Sequence, residues 1–186
     1  MKYILLYIPF LILPFFSSGQ LKLFTKTAVI SFSSKSPLEN IEARNKNVLS
    51  VWDVNTGRVE FSLLMREFEF KKALMQEHFN EDYVESDKYP KAFFKGVIDG
   101  GNTLSTEADG IYNVTINGTL TLHGVQRQIS APVTITIKNK TVSAKSEFTV
   151  ALADFNIKIP AIVANNISKQ IKVQVYIAEY KPLANR

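Results

Sequence analysis

Residues 112–122 read Tyr-Asn-Val-Thr-Ile-Asn-Gly-Thr-Leu-Thr-Leu. Tyr112, Val114, Ile116, Gly118, Leu120 and Leu122 alternate with Asn113, Thr115, Asn117, Thr119 and Thr121. Successive side chains of a strand point to opposite faces, so this stretch predicts an extended segment with one apolar and one wet face. After His123-Gly124 the alternation resumes: Ile129, Ala131, Val133, Ile135 and Ile137 face one way, Ser130, Thr134 and Thr136 the other. A short glycine-containing connection between two such runs reads as an antiparallel hairpin. Pro132 has no backbone N–H to give a neighbour, so it belongs on the outer register or at a bulge.

The same period extends in both directions. Downstream, Val142, Ala144, Ser146, Phe148 and Val150 oppose Ser143, Lys145, Glu147 and Thr149, and Ile171, Val173, Val175 and Ile177 oppose Lys172, Gln174 and Tyr176. Upstream faces are Ala28-Ile30-Phe32, Val48-Ser50-Trp52-Val54 and Val59-Phe61-Leu63-Met65. Pro90 precedes another, with Phe94 and Ile98 on one side. Runs near Ile41 and around Phe155-Ile157-Ile159 complete the set, which we read as about eight strands. Asn55-Thr56-Gly57, Asp99-Gly100-Gly101-Asn102, Asp109-Gly110, His123-Gly124 and Asn139-Lys140 mark turns, so neighbours run antiparallel. Such strands cover their apolar faces by stacking two sheets or by closing into a barrel.

Phe68 to Pro90 departs from this pattern. Lys71 to Phe79 is rich in helix formers, and Leu74/His78 and Met75/Phe79 fall at i,i+4. This predicts a short amphipathic helix inserted between strands, beside one mouth if the strands close.

The leading residues have another character. Met1-Lys2 is followed by an uncharged run from Tyr3 to Phe16, broken by Pro9 and Pro14 and ending at Ser17-Ser18-Gly19. The run falls short of the roughly 20 apolar residues a bilayer span takes, and a basic start, a short apolar core and small residues describe a secretory leader. We read residues 1–19 as a signal peptide cut before Gln20 and 20–186 as one domain, periplasmic or secreted, with an uncleaved anchor helix as the other reading. No permanent membrane anchor is expected after cleavage.

The chain has 186 residues, 46% hydrophobic and 21% charged, a balance that excludes wholesale disorder. Its 22 basic and 17 acidic residues are interspersed, with no basic stripe for nucleic acid. Without Cys there is no disulfide framework, no thiolate metal cluster and no lipoprotein cysteine. His78 and His123 are the only histidines, too few for a zinc site unless carboxylates complete it. Glycine fingerprints for nucleotides and the hydrolase G-x-S-x-G elbow are missing. Glu67/Glu69 and Glu81/Asp82 are neighbours in sequence, which read as solvated surface rather than carboxylates facing each other across a substrate. No cofactor, metal or catalytic centre is expected.

What remains is an apolar interior. A barrel of about eight strands is either filled by its own side chains or holds one small ligand. Periodicity leaves both open. In a hollow one, each buried methylene of a guest is worth ~0.8 kcal/mol before ordering costs.

Three segments in order, SDKYPKAFFKG (Ser86 to Gly96), NGTLTLHGVQRQISAPV (Asn117 to Val133) and FTVALADFNIKIP (Phe148 to Pro160), resemble the YceI family. The matching elements are Tyr89-Pro90 leading into Phe94, the Gly118 to Val125 hairpin, Phe148, and Asp154-Phe155-Asn156-Ile157. The region from Lys22 to Ser34 departs from the family's usual Asp-x-x-x-S opening. The resemblance implies an all-β, antiparallel, eight-stranded lipocalin-like barrel whose pore holds a polyisoprenoid or similar amphiphile without catalysis. It transfers no compact motif, so the candidate lining comes from the alternation: Phe32, Trp52, Phe61, Leu63, Phe94, Val114, Ile116, Leu120, Ile135, Phe148 and Val173. Phe70, Met75 and Phe79 would border a mouth. The expected function is an exported carrier or sequestering protein for an isoprenoid or fatty amphiphile, as a monomer or a homodimer. A solid β-domain acting as a secreted interaction or stress module is the alternative. An enzyme would need polar groups converging in the pore, with Tyr112, Ser146 and His123 as candidates.

Overall fold

The computed structural model describes residues 21–36, 39–163 and 165–183, so the leader read from residues 1–19 lies outside it. Among the described residues nine strands form one antiparallel sheet: β1 (Lys22–Lys35), β2 (Asn40–Asp53), β3 (Arg58–Leu64), β4 (Glu69–Phe70), β5 (Lys91–Ile98), β6 (Gly110–Leu122), β7 (Val125–Lys138), β8 (Thr141–Ala151) and β9 (Gln170–Pro182). Their order is β1-β9-β8-β7-β6-β5-β3-β2, and a β1–β2 ladder closes the ring. Eight strands therefore make a barrel, and the two-residue β4 adds to the start of β2 through Ala43 and Arg44.

Closure is written in the turns. His123 and Gly124 both have positive φ (51° and 71°), as do Asn139 and Lys140 (49° and 63°). Two left-handed residues match the twist of a two-residue hairpin, and Leu122↔Val125 and Lys138↔Thr141 are the closing pairs. Gly96 and Gly118 pair directly across β5 and β6, and a Cβ on Gly118 would lie 2.4 Å from the Lys95 carbonyl oxygen and 2.7 Å from the Phe94 ring. The missing side chains let Phe94 fold its ring over the two strands.

Pro132 sits where the proline argument puts it. It is exposed, and the β7–β8 ladder begins at the next residue, Val133↔Ser146. Between residues 125–132 of β7 and the end of β8 the wall is filled by a 3-10 turn, Leu152–Phe155. This corrects the expected strand around Phe155-Ile157-Ile159. Phe155 and Ile157 are both buried (1% and 6% exposed), but Asn156 between them is left-handed (φ 56°), so a turn delivers both inward. The segments near Ile41 and Val48 are one continuous strand, β2, rather than two.

The helical insertion lies between β3 and β5: α1 (Ala73–His78) runs into a wider turn, Phe79–Tyr83. The insertion, the loop from β1 to β2, the β6–β7 hairpin and the segment from β8 to β9 share one end of the barrel. At the other end are Asn55–Gly57, the loop from β5 to β6, Asn139-Lys140 and the outer ends of β1 and β9. Among the described residues no helix is long and apolar enough to cross a membrane.

Candidate functional site

The inward faces of the eight strands do not meet at the axis. They surround one cavity of about 360 Å³, within the range of small-molecule sites. Its wall runs from Ser34, Glu39, Ile41 and Val163 at the helical end to Trp52, Ile177 and Tyr180 at the other. From Ile41 to Trp52, β2 climbs at ~3.3 Å per residue with a tilt of ~40°, which separates the ends by roughly 28 Å along the axis. The cavity is elongated and its wall is almost wholly hydrocarbon.

Phe32, Trp52, Phe61, Leu63, Phe94, Ile116, Leu120, Ile135, Phe148 and Val173 line this cavity. Val114 does not. It is half-buried against the core without reaching the open space. Phe70, Met75 and Phe79 also contribute to the wall, at the helical end. There Phe32, Phe68, Phe70 and Phe79 form a cluster, with Phe32 5.1 Å from Phe68 and 5.5 Å from Phe79 between ring centroids. Phe79 lies 5.0 Å from Phe70, so the insertion is tied to β1 and β4 by aromatic contacts.

Tyr180 was not legible from alternation. Ile171, Val173, Val175 and Ile177 line the cavity at every second position, and continuing the period would bring in Glu179. A bulge intervenes: Ile177 pairs with Ala144, but Tyr180 pairs with Val142, three steps on β9 against two on β8. The extra residue keeps Glu179 outside and turns Tyr180 inward. Val163 and Ile167 were missed for another reason, since they sit in the non-strand segment after Pro160, where no periodicity applies.

Most polar groups of the wall lie at the two ends, with Lys145 and Ser146 between them. At the helical end Glu39 is held by Lys72 (2.7 Å) and His78 by Asp82 (2.7 Å), while Ser34 accepts from the Ser168 amide (2.8 Å). At the far end the Tyr180 hydroxyl meets Ser50 Oγ at 2.7 Å, and burial pushes its phenol well above the usual tyrosine range. Midway, Ser146 donates to the Pro132 carbonyl (2.7 Å) and is thereby occupied. Tyr112 and His123 lie outside the wall. His123 bonds both the Phe155 carbonyl and Glu85, joining segments around the helical end. The three polar residues considered for catalysis therefore do not converge. Among the described residues no group of three or more His, Asp and Glu is placed to hold a metal ion.

A closed eight-stranded antiparallel barrel around an elongated apolar cavity is a lipocalin-like architecture. The model of the YceI-like domain matches residues 21–178, nearly all of the described barrel, and the chain belongs to that family. Among solved structures, a polyisoprenoid binding domain from Saccharophagus degradans implicated in plant cell wall breakdown superposes with a TM-score of 0.76 at 15% identity. That match covers 89% of this chain and 100% of the other. BcnA of Burkholderia cenocepacia gives 0.65 at 18% identity, over 81% and 94% of the two chains. The YceI protein of Campylobacter jejuni gives 0.52 at 13% identity, over 100% and 99%. At these identities the likeness establishes the fold. Comparison with curated protein sequences finds no match.

Proposed function

We propose that this protein is an exported carrier or store that buries a polyisoprenoid or similar long-chain amphiphile in the barrel, reversibly and without covalent chemistry. The observation that carries this reading is the elongated apolar cavity running between Ile41 and Tyr180, too long for a compact metabolite and too poor in charge for a polar one. A linear chain fits both features. Each methylene withdrawn from water contributes ~0.8 kcal/mol, against which the ordering of the chain must be set. The family supports the reading, as does the S. degradans domain, which is described as polyisoprenoid binding. Export rests on the reading of residues 1–19 as a cleaved leader.

The test is mass spectrometry of organic extracts from protein purified natively and never exposed to detergent. One amphiphile at near-stoichiometric amount is expected. Repeated extracts without any such molecule, together with failure to take up an apolar fluorescent chain, would overturn the proposal in favour of a domain acting through its outer surface.

A further inference from the structure

The cavity reaches solvent at its helical end. Trp52, Ile135, Ile177 and Tyr180 at the far end are all buried, whereas Glu39, Met75, Phe79, Val163 and Ile167 are half-buried and His78 is exposed. A guest therefore passes between the insertion and the segment from β8 to β9. That segment is unusual for a surface connection. Ile159-Pro160-Ala161-Ile162-Val163 has no polar side chain, and Pro160, Ala161 and Ile162 in its middle are exposed. Connections on a surface are ordinarily polar, and a run of exposed apolar residues is a liability unless it has a function. The Val163 amide donates to the Pro160 carbonyl (3.1 Å) and the Asn166 amide to the Val163 carbonyl (2.9 Å). This turn places Val163 in the cavity wall and leaves Ile162, 92% exposed, outside. On the insertion, Leu74 stands in the same relation to Met75: Met75 lines the cavity and Leu74 is 61% exposed. Of the three most exposed large apolar side chains among the described residues, two thus flank the mouth, and the third, Ile111, lies at the other end.

The charges at this end have a matching arrangement. Lys71 and Lys72 are engaged by Glu42 and Glu39. Lys35, Lys158 and Lys169 are exposed and make no ion pair among the described residues. The Ser168 amide bond to Ser34 brings the segment carrying Lys169 to the end of β1 that carries Lys35. Asp154 is the one acidic residue between Leu152 and Lys169, and Glu77 and Glu81 on the insertion turn toward Arg66 and Asp87, outside the cavity wall.

Resting on the lipid-binding reading, we propose that the Ile159–Val163 turn and Leu74 form a docking face for an anionic bilayer, which sets the mouth against the membrane so that an apolar chain moves between bilayer and barrel without crossing water. Ile162 and Leu74 enter the acyl boundary, and Lys35, Lys158 and Lys169 meet lipid phosphates. A protein seated on this face would close the mouth, whereas a bilayer is a source of the guest.

The experiment is co-sedimentation of the natively purified protein with vesicles of phosphatidylcholine containing phosphatidylglycerol, and of phosphatidylcholine alone, beside uptake of an apolar dye in solution. Every variant carries the same N-terminus, so any contribution of residues 1–19 cancels. Wild type should sediment with the anionic vesicles and lose much of that binding in high salt. Ile162→Ser combined with Leu74→Ser should weaken it about tenfold or more, and Lys158→Gln combined with Lys169→Gln about tenfold, on the anionic vesicles only. Ile111→Ser also removes an exposed apolar side chain and should change nothing. Ile162 and Leu74 lie outside the cavity wall and project into solvent, so the first double variant should keep wild-type dye uptake and melting temperature. Normal dye uptake without vesicle binding, equal binding to both kinds of vesicle, or binding that survives the Ile162 and Leu74 exchange would overturn the docking face and leave the carrier function standing. So would self-association abolished by that exchange in the absence of vesicle binding, since the face would then belong to a second copy. Loss of dye uptake and vesicle binding together in the wild type would remove both readings.

Discussion

His123 Nε2 lies 2.8 Å from Glu85 Oε2, and the same ring reaches the Phe155 carbonyl oxygen with Nδ1 at 3.0 Å. These contacts link the helical insertion, the β6–β7 hairpin and the turn that fills the gap beside Pro132. Tyr89 packs edge-on to the imidazole with ring centroids 4.6 Å apart, and a Cβ on Gly124 would lie 2.5 Å from the Tyr89 ring. Glu85, His123 and Asn156 all hold positive φ (44°, 51° and 56°), conformations that non-glycine residues adopt at a cost and that the surrounding contacts must maintain. His123 therefore acts as a clasp at the helical end.

His123→Ala should lower stability by about 2 kcal/mol, through a lost buried bond, an orphaned Phe155 carbonyl and lost packing on Tyr89. For a domain of this size that is a fall in Tm of about 4–8 °C. Glu85→Gln retains an acceptor and should cost less than half as much. Thermal melts of the two variants beside the wild type check this ordering.

Tyr180 gives the protein an alkaline limit. Its phenol is pushed up by desolvation, with the Ser50 hydrogen bond opposing the shift, so the folded state holds its proton more tightly than the unfolded chain does. The stabilisation is fully present below the unfolded value of about 10 and is lost as pH rises toward the folded one, at up to about 1.4 kcal/mol per pH unit. Urea melts between about pH 8 and about pH 11 should show this fall in the wild type and a shallower one in Tyr180→Phe. Below pH ~10 that variant should sit lower by about 1 kcal/mol for the unpaired Ser50.

Much of the barrel is visible in the order of residues because its elements are set by local chemistry. Strict alternation over Tyr112–Leu122 and Ile129–Ile137 reads directly as β6 and β7, and the left-handed pairs His123-Gly124 and Asn139-Lys140 close the hairpins that the turn residues indicated. The hollow was not legible, because Phe, Ile and Leu at inward positions look the same whether they touch one another or surround a space. Register beyond a bulge was also hidden: nothing in Ala178-Glu179-Tyr180 marks the extra residue that exchanges Glu179 for Tyr180. The segment at Phe155 and Ile157 misled because two apolar residues spaced two apart satisfy a strand, and equally a turn with a left-handed asparagine between them.

Gly118 tests the close approach of β5 and β6. Its absent Cβ would stand 2.4 Å from the Lys95 carbonyl oxygen and 2.5 Å from Gly96 Cα, backbone atoms that cannot swing aside. Gly118→Ala should destabilise by about 3 kcal/mol, the upper part of the usual overpacking range. Gly110→Ala, where the nearest atoms belong to the Tyr112 side chain at 3.1 Å, should cost much less. Chemical denaturation of both variants gives the comparison.

Ala144 separates a hollow barrel from a solid one. It lines the cavity, pairs with Ile135 on β7 and Ile177 on β9, and is half-buried. In a filled core, Ala144→Phe would overpack and cost about 1–3 kcal/mol. In the cavity described here the new ring occupies empty space between apolar walls, so the ligand-free protein should gain about 1 kcal/mol, as cavity-filling changes do. The same ring takes the room of a guest, and uptake of an apolar fluorescent chain should fall at least tenfold. Stability and binding thus move in opposite directions, whereas damage to the fold would lower both. Melting temperature and dye titration on one preparation read the two signs together, and a variant that melts lower and still loads normally would show that Ala144 does not face the site of binding.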